Sequence, residues 1–238
     1  MLLSIIRQNQ KLAAKRNPAF DRNRFAKFLI YFMVAFWAAY LIFIGVMLSF
    51  AFEDIFPSME PYHIMNQGLI YLLILDFLLR FMLQPAMSQE IKPYLLMPVK
   101  KNKLVDTLLL QSGISSYNFF WFFLIIPFAL LTIIRFYGLT GILCYLCGIW
   151  LLMVMNSYWY LICKTLLNEK LLYILLPIGV YGLLAGTEFI PEGNPVSTFM
   201  MNLGEGFIEG NILAFLGVIA AILLLLLVNR KLQDRKST

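Results

Sequence analysis

Long apolar segments separated by short polar ones dominate this chain. Each is close to the 20 or so residues that an α-helix needs to cross the ~30 Å hydrocarbon core of a bilayer. Alternation of apolar and polar residues with a period of two, which marks a membrane-spanning strand, is absent. We therefore predict an all-α polytopic membrane protein with six transmembrane helices. The predicted spans are 28–52, 67–86, 108–134, 139–163, 171–189 and 211–229.

The composition supports this prediction. Of the 238 residues, 61% are hydrophobic and only 13% are charged, and the mean hydropathy is +0.79. A soluble domain carries about 25% charged residues. The length is therefore better divided into spans than into soluble domains.

Basic residues are confined to alternate gaps between the predicted spans. Of the 19 Lys and Arg residues, all but Arg80 and Arg135 lie before the first span, in the 87–107 gap, in the 164–170 gap or after the last span. Because basic loops remain in the cytoplasm, we predict that both termini are cytoplasmic. The net charge of +6 then requires no nucleic-acid partner, since basic segments ordinarily lie beside anionic membrane lipids.

This charge pattern divides the chain into regions of different character. The predicted regions are a basic N-terminal segment 1–27, a transmembrane domain 28–229 with a cytoplasmic coupling segment 87–107 and an outer loop 190–210, and a basic tail 230–238.

Two of the polar segments have alternative interpretations. Residues 2–16 form either an amphipathic helix in the headgroup plane, ending near Pro18, or an unstructured basic tail. The outer loop 190–210 is either a plain external loop or carries a short helix, around Ser197 to Phe207, that dips into the membrane from the outer face.

Two opposite charges lie in the second predicted span. Asp76 and Arg80 are four residues apart, so they share a helix face and can form an ion pair. A charge at the bilayer centre costs about 3 kcal/mol on insertion scales, and pairing lowers that cost. The pair is either part of a hydrophilic pathway or gate, or a structural salt bridge against a neighbouring helix. Arg80 can also extend toward the cytoplasmic surface.

Uncharged polar residues cluster at the start of the third span and in the fourth. Such residues line a pathway in some proteins, and more often join helices by hydrogen bonds of about 1 kcal/mol or less. The candidates are Ser115, Ser116, Asn118, Asn156 and Ser157.

Proline and glycine are expected to shape the later spans. Pro127 and Pro177 are predicted to interrupt their helices and permit kinks. Gly179, Gly182 and Gly186 lie one turn apart and favour close helix packing, within the chain or in a dimer.

The sequence motifs that carry catalysis are missing. There is no GxxxxGK[ST] loop for ATP and no GxSxG nucleophile elbow. The one histidine, His63, cannot supply a two-histidine zinc site. Cys144 and Cys147 have CxxC spacing but lie within an apolar run, where small buried thiols are the expected interpretation. We expect no enzymatic activity, cofactor or metal, so any energy source must be a partner or a gradient.

The basic segment from Glu90 to Asp106 carries a resemblance to a known family. The order of elements, with the Pro-Val-Lys-Lys-x-Lys run in a cytoplasmic segment after the second span, resembles the permease subunit of ABC-2 type transporters. In that superfamily this segment contacts the ATPase. The resemblance implies a coupling segment that includes Lys92, Pro93, Leu95, Leu96, Met97, Pro98, Lys100, Lys101 and Lys103.

The chain is more closely similar to an uncharacterised bacterial family of ABC-2-like permease proteins. The shared motifs are DFLLRF at 76–81, the IKPYL and PVKK runs within 91–101, and IPF at 126–128, and the similarity covers about 28–186. Members of that family continue with further spans, so this chain is either a compact six-span version or a truncated one.

The resemblance implies a permease half of an exporter, energised by a separate ABC-type ATPase. Two copies, or one copy and a paralogous permease, would form the pathway. The lysines either dock the ATPase or only orient the segment. The alternatives are a membrane scaffold that transports nothing and a gradient-driven carrier. The transported substrate is not indicated by the sequence.

Overall fold

The structure, a computed structural model, describes residues 24–84, 101–187 and 194–235. It also describes five positions of the N-terminal segment, all helical: Ser4, Ile6, Gln8, Asn9 and Leu12. Ile6 is buried in the hydrophobic core, whereas Leu12 is exposed. Within these ranges the chain is helical and contains no strand.

Nine α-helices and two short 3₁₀ helices make up the described ranges. They are α1 (Arg24–Ile55), α2 (Pro61–Gln67), α3 (Leu69–Leu83), α4 (Lys101–Gly113), a 3₁₀ turn (Ser116–Phe119), α5 (Phe122–Thr132), α6 (Ile134–Leu167), a second 3₁₀ turn (Leu171–Ile174), α7 (Leu175–Gly186), α8 (Pro195–Ile208) and α9 (Ile212–Arg235).

Three of the described helices are long and apolar enough to cross a membrane: Lys27–Ile55, Ile134–Leu167 and Ile212–Gln233. The number rises to five if two bent helix pairs, α2 with α3 and the segment from α4 to α5, each count as one span. The predicted span at 171–189 corresponds to the shorter apolar stretch Leu171–Gly186. That stretch rises only about 24 Å, less than the ~30 Å hydrocarbon core.

The third predicted span is broken, but not at Pro127. The helical segments Lys103–Phe119 and Phe122–Thr132 meet at a bend of 57°. Ser115 is extended, with φ −66° and ψ 146°, and Asn118 Nδ2 donates to the carbonyl of Gly113 at 2.5 Å. Asn118 thus satisfies a carbonyl that the end of α4 leaves without a helical partner. Asn118 therefore caps α4 at the point where the chain leaves that helix.

The prediction that Pro127 and Pro177 interrupt their helices is wrong. Pro127 lies inside the continuous helix α5. Pro177 lies in the first turn of α7, where the missing N–H would have had no helical acceptor. A non-helical position occurs instead at Gly138, between the third and fourth predicted spans, where φ of 62° and ψ of −161° kink α6. A positive φ of this size is readily adopted only by glycine.

Helix α6 forms the centre of the bundle. It packs against α3, α5, α8 and α9, and its residues Tyr145, Ile149 and Met153 are completely buried. Burial on several faces explains why this span lacks a polar face.

Helix α1 lies at the periphery and touches the bundle mainly through α5. The two backbones come close at Gly45, where an added Cβ would lie 2.3 Å from the carbonyl oxygen of Leu124. The first half of α1 is exposed, and its aromatic rings stack at helical spacing: Phe28 on Phe32, Phe32 on Phe36 and Phe36 on Tyr40. Such a surface suits a lipid environment.

The segments of opposite charge lie at opposite ends of the bundle. At one end, Arg135 Nη1 donates to Glu53 Oε1 at 3.1 Å. At the other end, Lys164 Nζ donates to the carbonyl of Phe81 at 2.8 Å, and Gln233 Nε2 donates to Thr165 Oγ1 at 3.2 Å. We call these the acidic end and the basic end.

Candidate functional site

Asp76 and Arg80, which the sequence predicts to pair, are in direct contact on α3. Arg80 Nε donates to Asp76 Oδ2 at 2.7 Å. The pair is nearly inaccessible, with side-chain exposures of 1% for Arg80 and 4% for Asp76. Arg80 therefore does not extend to the cytoplasmic surface, contrary to one of the expectations above.

Two residues from other elements also donate to the Asp76 carboxylate. Trp121 Nε1 donates to Oδ1 at 3.0 Å, and Asn156 Nδ2 donates to Oδ2 at 2.7 Å. Together with Arg80, these donors engage both oxygens of the carboxylate. The acid is thus held between α3, the start of α5 and α6.

The Arg80 guanidinium also bonds outside α3. Its Nη2 donates to Asn118 Oδ1 at 2.8 Å, and Asn118 is completely buried. Its Nη1 is buried with no hydrogen-bond partner in the described part of the chain. A buried guanidinium donor without an acceptor is unfavourable, so this nitrogen has capacity for a further acceptor.

Asn156 extends the network to a fourth part of the fold. Its Nδ2 also donates to the carbonyl of Leu73 at 2.9 Å, and its Oδ1 accepts from Tyr181 Oη at 2.8 Å. Tyr181 lies on α7. We call the resulting set the polar cluster: Asp76, Arg80, Asn118, Trp121, Asn156 and Tyr181.

The polar cluster lies nearer the basic end than the acidic end. On α6, Asn156 is separated by about 12 Å of helical rise from Lys164 and by about 26 Å from Leu139. On α3, Asp76 lies about two turns before the end of the helix at Leu83. The cluster therefore lies below the surface of the bundle at the basic end.

The geometry defines what the cluster can do chemically. Its two opposite charges are paired with each other. A buried ion pair is costly to disrupt, because removal of one partner commonly costs about 3–5 kcal/mol by leaving the other charge unpaired. The arrangement can fix the relative positions of α3, the start of α5, α6 and α7. A shift of one of these elements therefore changes the hydrogen bonds that hold the others.

The polar candidates from the sequence divide into two groups. Asn118 and Asn156 belong to the polar cluster. Ser157, the next residue after Asn156, is buried, and its hydroxyl lies 3.0 Å from that of Ser112. Ser115 and Ser116 form the connection before the 3₁₀ turn, where Ser115 is half-buried and Ser116 exposed. The structure does not bring these two serines to the cluster.

Most of the predicted coupling segment lies outside the described residues. Lys92, Pro93, Leu95, Leu96, Met97, Pro98 and Lys100 fall in that part of the chain. Lys101 begins α4, and Lys103 is exposed on its first turn. Nearby, Arg230 Nε lies 3.4 Å from Asp106 Oδ1, which joins the start of α4 to the end of α9.

The described part of the segment 190–210 contains a helix, and its entry into the membrane from the outer face stays a prediction. Helix α8 begins at Pro195, and Asn194 Oδ1 caps it by accepting from Val196 and Ser197 N–H groups. Glu205 on this helix contacts His63 of α2 through an ion pair or hydrogen bond. The residues are far apart in sequence, and nothing in the sequence indicated the contact.

Sequence reasoning missed Trp121 and Tyr181. Both occur in apolar runs, where an aromatic residue is expected to face lipid or core. The available signal is chemical, since a buried indole N–H or phenol O–H needs an acceptor. That rule indicates a polar neighbour but does not identify Asp76 or Asn156.

The three glycines of α7 are not packed within the described chain. A Cβ at Gly179, Gly182 or Gly186 would meet nothing within 4 Å. No group of three or more His, Cys, Asp or Glu side chains that could hold a metal ion occurs among the described residues.

Together these features define the class of protein: an all-helical multi-pass membrane protein with a buried polar cluster near one end. The chain belongs to the family of unknown function DUF5687, whose model matches residues 10–237. No curated protein and no solved structure matches the chain. The family match spans the elements that form the cluster.

Proposed function

We propose that this chain is the permease subunit of an ABC-2-like exporter, with six spans and both termini in the cytoplasm of a bacterial inner membrane. A separate ATPase docks on the segment from Glu90 to Asp106. Support for this proposal comes from the sequence resemblance around Pro98 to Lys103 and from the basic character of that end of the bundle.

The observation that carries the proposal is the position of the polar cluster relative to the coupling segment. The segment joins the end of α3 to the start of α4. Asp76 and Arg80 lie on α3, and Asn118 holds the last carbonyls of α4 through bonds to Ser112 and Gly113. Both helices that flank the coupling segment are thus tied to the same buried network.

This connection provides a mechanism for coupling. ATP binding closes the ATPase dimer and displaces the segment it grips. The displacement shifts α3 against α4, and the polar cluster conveys it to α6 through Asn156 and to α7 through Tyr181. The helices respond by a change in the populations of two arrangements, since packed interfaces switch between discrete states.

The pathway is expected to require a second subunit, either another copy or a paralogous permease. The open glycine face of α7 is a surface where two helices could approach closely. Membrane lipids are the surrounding partners, and the basic end faces the anionic leaflet.

Docking can be tested with one triple variant and a matched control. Lys100→Gln, Lys101→Gln and Lys103→Gln together should abolish co-purification of the ATPase and stop transport. Lys170→Gln, Lys231→Gln and Lys236→Gln remove the same charge from other positions of the chain and should retain both. Retention of the ATPase by the first variant, with unchanged topology, contradicts the docking role.

Co-purification, combined with a transport assay in vesicles, distinguishes the alternatives. A membrane scaffold would co-purify with partners that lack Walker motifs. A gradient-driven carrier would transport in vesicles without ATP and lose activity when the proton or ion gradient is dissipated. The exporter requires ATP and is insensitive to that dissipation.

A further inference from the structure

An apolar groove of about 1070 Å³ separates the first half of α1 from the rest of the bundle. The opposite wall consists of the end of α3 and the connection from Ser116 to Phe123. Residues on both walls are exposed, including Trp37 at 48% and Phe119 at 43%. The groove is therefore open to its surroundings along its length.

The groove follows from the way α1 packs. The helix is in close contact with α5 at Gly45 and diverges from it toward the N-terminus. The lining begins at Leu41, one turn before Gly45, and continues to Leu29. Helix α1 contacts the bundle mainly through α5, and most of its residues from Leu29 to Tyr40 are exposed.

The surroundings determine what fills the groove. Lys27–Ile55 is a candidate membrane span, so the groove lies at hydrocarbon depth. Its volume is at the top of the range of about 300–1,000 Å³ that is typical of ligand sites. An apolar space of this kind excludes water, and in a bilayer the available apolar occupant is a lipid acyl chain.

Charge at the mouth of the groove indicates the type of headgroup. The lining ends at Leu29, and Lys27 lies two residues earlier on the same helix. Ser116 and Tyr117 supply hydroxyl groups to the lining. A lysine near the membrane surface attracts anionic lipid by about 1 kcal/mol.

We infer that the groove between α1 and the Ser116–Phe123 connection is a binding site for an anionic phospholipid. One acyl chain lies along Trp37 and Phe119, and the headgroup lies at the basic end beside Lys27. Trp121 forms part of the groove lining, and its indole N–H bonds to Asp76. Occupancy of the groove thereby stabilises the Trp121 position that the polar cluster requires.

The site can be tested with the full-length protein in nanodiscs. The probe is phosphatidylglycerol carrying a photoreactive diazirine on its acyl chain, and labelled peptides are mapped by mass spectrometry. We expect labels on α1 at Met33 to Trp37 and on the 119–123 stretch. Ala38→Phe, which fills the groove, should reduce labelling severalfold, while Ala39→Phe, next to it but outside the lining, should not.

Headgroup selectivity is tested in parallel. Lys27→Gln should lower labelling by phosphatidylglycerol about fivefold, the factor expected for one basic residue at an anionic surface. Phosphatidylcholine with the same diazirine chain should label weakly and respond little to that change. Equal labelling by the two lipids contradicts the anionic preference.

Two further results would overturn the site itself: equal labelling of the Ala38→Phe and Ala39→Phe variants, or a Trp37→Cys cross-link between two copies with no lipid label in the groove. The latter would show that a helix of a second copy occupies it. The inference depends on placement in a membrane and not on transport. Absence of an ATPase partner would therefore leave the labelling result unchanged.

Discussion

Trp121 donates its indole N–H to Asp76 Oδ1 at 3.0 Å, which joins the wall of a lipid-facing groove to a buried carboxylate. The two residues come from different elements, α3 and the start of α5. Through this bond, a residue that lines the groove on the surface of the bundle is connected to the buried polar cluster.

Removal of that bond should lower stability. Trp121→Phe retains a ring but leaves one oxygen of a buried carboxylate without its donor, which costs about 1–3 kcal/mol. We expect a lower Tm in detergent, measured by intrinsic fluorescence or light scattering. Trp37→Phe is the matched control, because Trp37 lines the same groove and its side chain is half exposed. A similar fall in both variants would mean that ring size and not the hydrogen bond matters.

Variants of the Asp76–Arg80 ion pair can distinguish its contribution to stability from its contribution to transport. Asp76→Asn should destabilise the protein by about 3–5 kcal/mol, because Arg80 keeps its buried charge. The double change Asp76→Leu with Arg80→Met removes both charges but leaves Trp121 and Asn156 without their acceptor, so it should recover only part of the loss. If the pair conveys motion, the double variant will fold and still fail to transport. Full transport by that variant would assign the pair a structural role only.

At Gly45, where α1 crosses α5, the packing should leave no room for a side chain. Gly45→Ala places a Cβ against the Leu124 carbonyl, and such overpacking typically costs about 1–3 kcal/mol. Gly182→Ala is the control, since its Cβ would meet nothing within the described chain and alanine favours a helix by about 1 kcal/mol. We expect opposite shifts in Tm. A loss of stability at Gly182 but not Gly45 would contradict the packing described here.

Six spans require α7 to cross the bilayer. In a background where Cys144, Cys147 and Cys163 are replaced by Ala, a single Cys at Lys170 should be protected from an impermeant maleimide in spheroplasts. A Cys at Glu209 should react. If both react, or neither does, Leu171–Gly186 does not span the membrane and five spans remain.

The apolar pattern predicted the long elements well. Helices α1, α6 and α9 each contain a long apolar stretch, and in α6 that stretch continues beyond the kink at Gly138. The bent elements were less predictable. The predicted span 67–86 is preceded by α2 with a bend of 49°. Buried Asn66 of α2 accepts a hydrogen bond from Tyr145, a residue remote in sequence.

The polar cluster was predictable only in part. The four-residue spacing of Asp76 and Arg80 sufficed to pair them, because that contact is local to one helix. The roles of Asn118 and Asn156 depend on how the helices pack. Ser115 and Ser116 resemble Asn118 in sequence yet lie outside the cluster, since the extended backbone at Ser115 turns the chain at that point.

The most direct measurement for the exporter proposal is purification of the full-length protein from its native membrane in mild detergent, with identification of every partner. We predict an ATPase with Walker motifs that is present in near-stoichiometric amount and hydrolyses ATP in the complex. Its loss in the Lys100, Lys101 and Lys103 variant, but not in the Lys170, Lys231 and Lys236 control, would locate the contact. A complex that contains no ATPase would contradict the permease assignment.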